Sequence, residues 1–360
     1  MALTQVDQGL LSTNAQYTGF KNRIINGAMV LDQRNAGASI TQTTANQFSV
    51  DRFIVVGSVA SKFTAQQNAA AVTPPAGFIN YLGITSSSAY TVGAAENFNI
   101  RYYNEGLNTA DLGWGTASAQ TVTLSFWVRS SLTGTFGGSI NNYAFNRSYP
   151  YTFTINAANT WEYKTVTIAG DTSGTWLTTN SGSLCVFWNL GCGATNSGTA
   201  NAWSAGTFIA PTGAVSVVGT SGATFYITGV QLEKGSTATS FDYRPYGTEF
   251  QLCQRYCWVN TPATNSPMTM GGVWQTSSQF NGVVQFPVPM RASPSFSYLS
   301  AVSNYGIVTN GVVTPSALTS YGASTYSIGI AATASGTAGY GGYIQNQGAG
   351  PWNFTFSAEL

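Results

Sequence analysis

A chain of 360 residues and 37.9 kDa, with 40 glycines, 13% aromatic residues and 7% charged ones, is long enough for two domains with separate cores. Its net charge of +1, without any block of Lys or Arg, excludes the electrostatic footprint of a nucleic-acid binder, and no apolar run is long enough for membrane insertion. The Ser/Thr/Asn/Gln/Ala background, poor in helix formers, predicts an all-β fold whose neutral surface suits a subunit of an assembly.

The start, MALTQVDQGLLSTN, has no basic region followed by an apolar run, so no export signal is expected. Residues 1–30 lack a core-like pattern and read as an N-terminal arm ordered by a partner. From 31 to 245, strand-like runs alternate with Gly/Asn/Ser turns. FSVDRFIVV (48–56), ENFNIRYYN (96–104), TWEYKTVTIAG (160–170) and AVSVVG (214–219) each read as one strand. In QTVTLSFWVRSS, Val122, Leu124, Phe126 and Val128 share one face, with Ser125, Trp127 and Arg129 on the other. SLCVFWNLG is apolar on both parities and predicts a central strand, or one facing a neighbouring subunit. In ATFYITGVQLEK the apolar face switches from Phe225 and Ile227 to Val230 and Leu232, with Gly229 at the changeover, the pattern of a β-bulge. Strands at this spacing predict a two-sheet jelly-roll β-sandwich.

A short helix is expected from Thr248, with TEFQ as a capping box and Phe250, Cys253, Tyr256 and Cys257 at helical spacing. The helix and the linker VNTPATNSPMTMGG occupy 246–272. A second, smaller β-sandwich-like domain follows over 273–360. Cys185, Cys192, Cys253 and Cys257 are expected as reduced, buried thiols, because a disulfide framework needs an oxidising setting and a zinc site needs ligands that a chain without His lacks.

Three stretches together resemble a tailed-bacteriophage fibre or virion surface protein family: FKNRIINGAMVLDQRNAG (20–37), LSFWVRSSLTGTF (124–136), and VQLE with FDYRPYGTEFQLCQRYCW (230–258). The resemblance covers almost the whole chain and is strongest over 20–260. It implies a jelly-roll domain like a carbohydrate-binding module, a homotrimer, and a place on the virion surface in adhesion to host surface glycans. It also implies docking on tail, collar or capsid proteins through the arm. The arm is shorter than the adaptor of many tail fibres, which keeps a capsid-attached decoration or head-fibre role open beside the adhesive one.

Without His, Ser-His-Asp and Cys-His catalysis are impossible, and a polysaccharide depolymerase would need paired carboxylates, for which Asp111 and Asp171 are the candidates. Both lie in Gly-rich loops where Asp is ordinarily a turn residue, so no enzyme activity is expected. Glycan binding needs aromatic faces for sugar rings and amides or guanidinium for hydroxyls. Asn141, Asn142, Tyr143, Arg147 and Tyr149 in NNYAFNRSYPY, Trp203 in the 194–206 loop, and Trp114 and Trp176 in turn-rich segments have that chemistry. Asp51 and Glu233, on the first and last strands, are candidate ligands of a structural Ca²⁺ if those strands pair. The alternative, preferred here, is that Asp51, Arg52, Glu233 and Arg244 are ion-paired at a domain edge. Residues 229–258 concentrate charge: Glu233, Lys234, Asp242, Arg244, Glu249 and Arg255. Glu233, Asp242, Arg244 and Arg255 are expected to contact protein rather than ligand.

Overall fold

The alternation over 122–130 is realised as a strand on which Val122, Leu124, Phe126 and Val128 are fully buried while Trp127 and Arg129 are not. It belongs to a computed structural model that describes residues 21–261, 267–299, 301–347 and 353–360. These fall into two compact units, one ending at Tyr246 and one running from Gly247 to Glu359.

The first unit carries, in chain order, β1 (Ile40–Thr41), β2 (Gln47–Val50), β3 (Phe53–Gly57), β4 (Phe63–Gln67), β5 (Leu82–Ser86), β6 (Asn97–Glu105), β7 (Val122–Ser130) and β8 (Gly134–Asn142). There follow β9 (Arg147–Ile155), β10 (Glu162–Ile168), β11 (Gly182–Cys192), β12 (Ser197–Gly198), β13 (Ser204–Ala205), β14 (Ala210–Pro211) and β15 (Thr224–Lys234). One sheet has the order β1-β4-β5-β15-β7-β10 and the other β13-β9-β8-β11-β6-β3-β2, a two-sheet antiparallel sandwich of jelly-roll type. Its core is the inward parity of both sheets, with Leu124, Phe126, Phe225 and Ile227 from the first facing Phe53, Ile100, Val186 and Trp188 from the second.

β11 is central, between β8 and β6. Its odd face, Cys185 and Phe187, is covered within the chain by Ile209 and Phe145, so its double apolarity is explained without a neighbouring subunit. The bulge at Gly229 is present: β15 pairs Thr228 with Trp127 and then Gln231 with Ser125, three steps against two.

Several expectations are corrected. The 48–56 run is two strands, because Asp51 and Arg52 form a tight turn with Arg52 at φ 72° and Val50 pairs with Phe53. AVSVVG is irregular; Val217 and Val218 plug the core from outside any strand. Residues 1–20 of the expected arm lie outside the described residues, but 21–30 are part of the sandwich. There Arg23 N donates to Leu232 O (2.9 Å), Val230 N to Gly27 O (2.9 Å), and Ile24 and Met29 are fully buried.

The second unit contains most of α1 (Tyr246–Gln254), then β16 (Cys257–Asn260), β17 (Pro267–Thr276), β18 (Gln279–Gln285), β19 (Ser295–Tyr298) and β20 (Tyr305–Val308). β21 (Val312–Val313), β22 (Ala317–Tyr321), β23 (Ser327–Thr333), β24 (Gly341–Asn346) and β25 (Phe354–Ser357) complete it. A three-stranded sheet, β16-β25-β19, and a seven-stranded one, β21-β20-β24-β17-β18-β23-β22, enclose a core that includes Trp274, Phe280, Tyr305, Phe354 and Phe356. α1 starts two residues before Thr248, directly after Pro245, whose fixed φ suits a helix entry; Thr248 therefore lies inside the first turn and is not the cap. Cys257 belongs to β16, not to the helix. The expected linker is partly strand, since β17 begins at Pro267, while 262–266 lie outside the described residues. The four cysteines are free thiols, with Cys185, Cys253 and Cys257 buried and Cys192 half-buried.

Candidate functional site

Four of the eight glycan candidates, drawn from different segments, meet at one end of the sandwich. Trp114 follows the short turn after β6, Trp176 lies in the β10–β11 loop, Trp203 precedes β13, and Tyr149 is on β9. Ring centroids are 4.6 Å apart for Trp114 and Trp176, 5.5 Å for Trp114 and Trp203, 5.7 Å for Trp176 and Trp203, and 5.3 Å for Tyr149 and Trp203. The three indoles meet edge to face, which suits the ring quadrupoles. Each indole N–H is taken by a loop carbonyl: Trp114 by Gln120 (2.7 Å), Trp176 by Ser173 (3.1 Å) and Trp203 by Ala169 (2.8 Å).

Arg147 fixes the loop that carries Trp176. Its Nε and Nη2 donate to the two carboxylate oxygens of Asp171 at 2.8 and 2.7 Å, and Asp171 is buried. Gly174 passes so close that a β-carbon there would meet Arg147 Cγ at 2.5 Å, and its φ of +78° is one that glycine adopts freely. Beside the cluster is a cleft of about 270 Å³ lined by Trp114, Trp176 and Leu177 with Thr109, Thr116 and Thr178. These threonines escape sequence reading because they look like ordinary turn residues.

The other candidates turn to protein. Asn142 is buried, and its Oδ1 accepts from Asn146 N and Arg147 N, both at 3.0 Å, so it ties the β8–β9 turn. Asn141 points to the opposite face of β8, buried, with Nδ2 donating to Phe208 O. Tyr143 packs on Tyr103 at 5.6 Å over the outer face of that sheet. Alternation along β8 makes it impossible for Asn141 and Asn142 to serve one ligand.

Asp51, in the turn that joins β2 and β3, and Glu233, on β15, belong to different sheets: β3 pairs with β2 and β6, and β15 with β5 and β7. The strand pairing that would let them share a cation is therefore not formed. Asp51 accepts from Gln33 Nε2 (2.5 Å), with Arg34 at 3.8 Å, and Glu233 accepts from Gln231 Nε2 (2.8 Å) and from the backbone and hydroxyl of Thr239 (2.8 and 2.7 Å). Among the described residues no three acidic or thiol side chains gather around one point. Asp111 is bound in bidentate fashion by Arg23, both contacts 2.8 Å. Asp242 accepts from the backbone N of Lys21 and Asn22 (2.8 and 3.1 Å), and Arg244 donates to Ile24 O (3.1 Å) and to Asn22 O. Glu233, Asp242 and Arg244 thus bind protein, as expected.

No protein-family model and no curated protein matches the chain. Among solved structures it is similar to a putative sugar binding protein from Bacteroides thetaiotaomicron VPI-5482, at 14% identity over 60% of this chain and 100% of that one, TM-score 0.34. It is also similar to a family 11 carbohydrate-binding module from Clostridium thermocellum in complex with a mixed-linked tetrasaccharide, at 13% identity over 56% of this chain and 98% of that one, TM-score 0.27. A third is the enzymatically active domain of bacteriophage CBA120 tailspike protein 4, at 9% identity and TM-score 0.31, where the match spans 59% of this chain and 21% of that one.

Proposed function

We propose that this protein is a bacteriophage virion fibre component that attaches the particle to host surface glycans and carries out no catalysis. The observation that carries the binding reading is the convergence of Trp114, Trp176, Trp203 and Tyr149 beside a cleft lined by three threonines. The half-buried rings of Trp176, Trp203 and Tyr149, backed by the buried Trp114, offer stacking to the apolar faces of pyranose rings, and the hydroxyls offer orientation. The virion role is supported by the 20–37, 124–136 and 230–258 stretches. A homotrimer, docked on tail, collar or capsid proteins through its N-terminal residues, would turn weak single-site affinity into firm attachment. Against hydrolysis stand the two loop carboxylates, Asp111 and Asp171, each held by an arginine rather than paired with the other.

The test is binding of purified protein to host cells and to their extracted lipopolysaccharide, with Trp176→Ala as the site variant, together with the protein's position on imaged particles. Retained adhesion in Trp176→Ala would overturn this site. Failure of the wild-type protein to bind, with loss of heat or osmotic resistance in particles lacking it, would replace adhesion by shell reinforcement. Release of reducing sugar, abolished by Asp171→Asn, would overturn the non-enzymatic reading.

A further inference from the structure

A second concavity lies on the outer face of the β1-β4-β5-β15-β7-β10 sheet. Its floor is Ser125 and Trp127 of β7 and the bulge glycine Gly229 of β15; Tyr163 of β10 flanks it, and its wall is Phe78 with Phe241 and Tyr243. Its volume is about 590 Å³, within the range of roughly 300–1,000 Å³ that ligand clefts occupy. The rings form two groups: Trp127 and Tyr163 at 5.4 Å, and Phe78, Phe241 and Tyr243 at 4.7–5.4 Å from one another. Tyr163 is 43% exposed and Tyr243 55%.

Two properties separate this groove from the tryptophan cluster. First, part of its polar lining is unused: among the described residues the Trp127 indole N–H and the hydroxyls of Ser125, Ser240 and Tyr163 have no hydrogen-bond partner, while the Tyr243 hydroxyl donates to Gly77 O and that of Thr239 to Glu233; in the cluster all three indoles are bonded to loop carbonyls. Second, no charged side chain lines it. Those nearby are occupied elsewhere. Glu233 is held by Gln231 and Thr239, Lys164 bonds Glu162 at 2.6 Å, and Arg129 lies over the Tyr226 ring with Nε on Asn159 O. In FDYR the side chains alternate, Phe241 and Tyr243 toward the groove, Asp242 and Arg244 toward residues 21–24.

We infer that this groove is a second binding site, separate from the tryptophan cluster, for a segment of an uncharged polysaccharide. A neutral sugar chain offers apolar ring faces to the two aromatic groups and hydroxyls to the free donors and acceptors, and it brings no charge that the lining would leave unpaired. An anionic chain would find no cation in the lining itself; Lys21, the ammonium at its rim, is tied to the Thr239 hydroxyl (2.6 Å), which also binds the Glu233 carboxylate (2.7 Å). The inference rests on the glycan-binding reading for its ligand class, but not on the tryptophan cluster.

The test is affinity electrophoresis of the full chain through gels containing neutral polysaccharides (β-glucan, galactan, mannan) and an anionic one (alginate), comparing wild type, Trp127→Ala, Tyr163→Ala and Trp176→Ala. Circular dichroism checks that each variant is folded. Exposed Tyr163 keeps the test valid if Trp127→Ala does not fold. Retardation of wild type by a neutral polymer, weakened on the order of tenfold by Tyr163→Ala and unchanged by Trp176→Ala, is the expected result. Retardation lost in Trp176→Ala but kept in Tyr163→Ala overturns the groove and leaves the cluster standing. Preference for alginate overturns the ligand class, and no retardation of wild type by any polymer overturns both sites. Concentration-dependent self-association in light scattering that Tyr163→Ala abolishes would make the groove an interface between copies and overturn the proposal as well.

Discussion

Gly229 and Phe78 touch in a way that only a residue without a side chain allows: a β-carbon at 229 would lie 2.6 Å from Phe78 Cζ and 3.1 Å from Trp127 Cδ1. The φ of +61° at Gly229 adds a backbone preference against any other residue. Gly229→Ala should cost about 1–3 kcal/mol, measured by denaturant unfolding, and should push the Phe78 ring out over the groove. The same variant should then weaken retardation by a neutral polysaccharide while leaving the tryptophan cluster intact.

Removing Arg147 leaves the buried Asp171 carboxylate with one remaining backbone donor, Ser173 N at 3.1 Å. Arg147→Ala is expected to destabilise the first unit by about 2–4 kcal/mol and to free the loop carrying Trp176. The double variant Arg147→Ala/Asp171→Ala should recover part of that loss, since it removes the stranded charge. Urea melts of the three proteins decide this.

Burial alone would raise Glu162, but hydrogen bonds from Lys164, Ala157 N and Asn156 outweigh it and pull its pKa from 4.5 to about 2. A depressed folded-state pKa contributes stability that is present above the unfolded value and is lost as pH falls through the folded one. The melting temperature should therefore drop between pH 4.5 and 2. Glu162→Gln should have a shallower acid limb than wild type, measured by calorimetry across that window.

In the second unit the Tyr305 hydroxyl sits between the carbonyls of Leu299 and Asn353, at 2.7 and 3.0 Å, and burial pushes its pKa up to about 12. A raised value in an acid that must stay neutral contributes stability fully present below pH 10 and lost as pH rises through 12. Tyr305→Phe should cost about 1 kcal/mol at neutral pH and flatten the alkaline limb, followed by tryptophan fluorescence.

Much of the sandwich was legible because its signals are local. The period-2 face of β7, the doubly apolar β11 and the parity switch at Gly229 all survive in the structure, since each depends on neighbours along one strand. Where neighbours across the fold decide, the reading failed. Asp51 and Arg52 break what looked like one strand because the chain must turn back at Val50 and Phe53, and Val217 and Val218 plug a core without any strand pairing. The three tryptophans and Tyr149 were recognisable as a class of residue, yet their meeting required four separate segments. The groove stayed hidden for the same reason. Trp127 reads correctly as an outward side chain, but nothing in its own strand says that Phe78 and the FDYR segment will wall the space beside it. The charges of Asp242 and Arg244 are also explained at long range, because residues 21–24 bind them.

That stitching of residues 21–27 onto β15 and the FDYR segment has a mechanical consequence. Any load carried through the chain before residue 21 enters the sandwich at Leu232, Asp242 and Arg244 and is shared by several hydrogen bonds at once before β15 can slide. Residues 21–24 also have no place to bind until those near 244 have been made, so the sandwich closes late, across a loop of more than two hundred residues. A pull on this end would act on the strand that completes the sandwich rather than on a frayed edge.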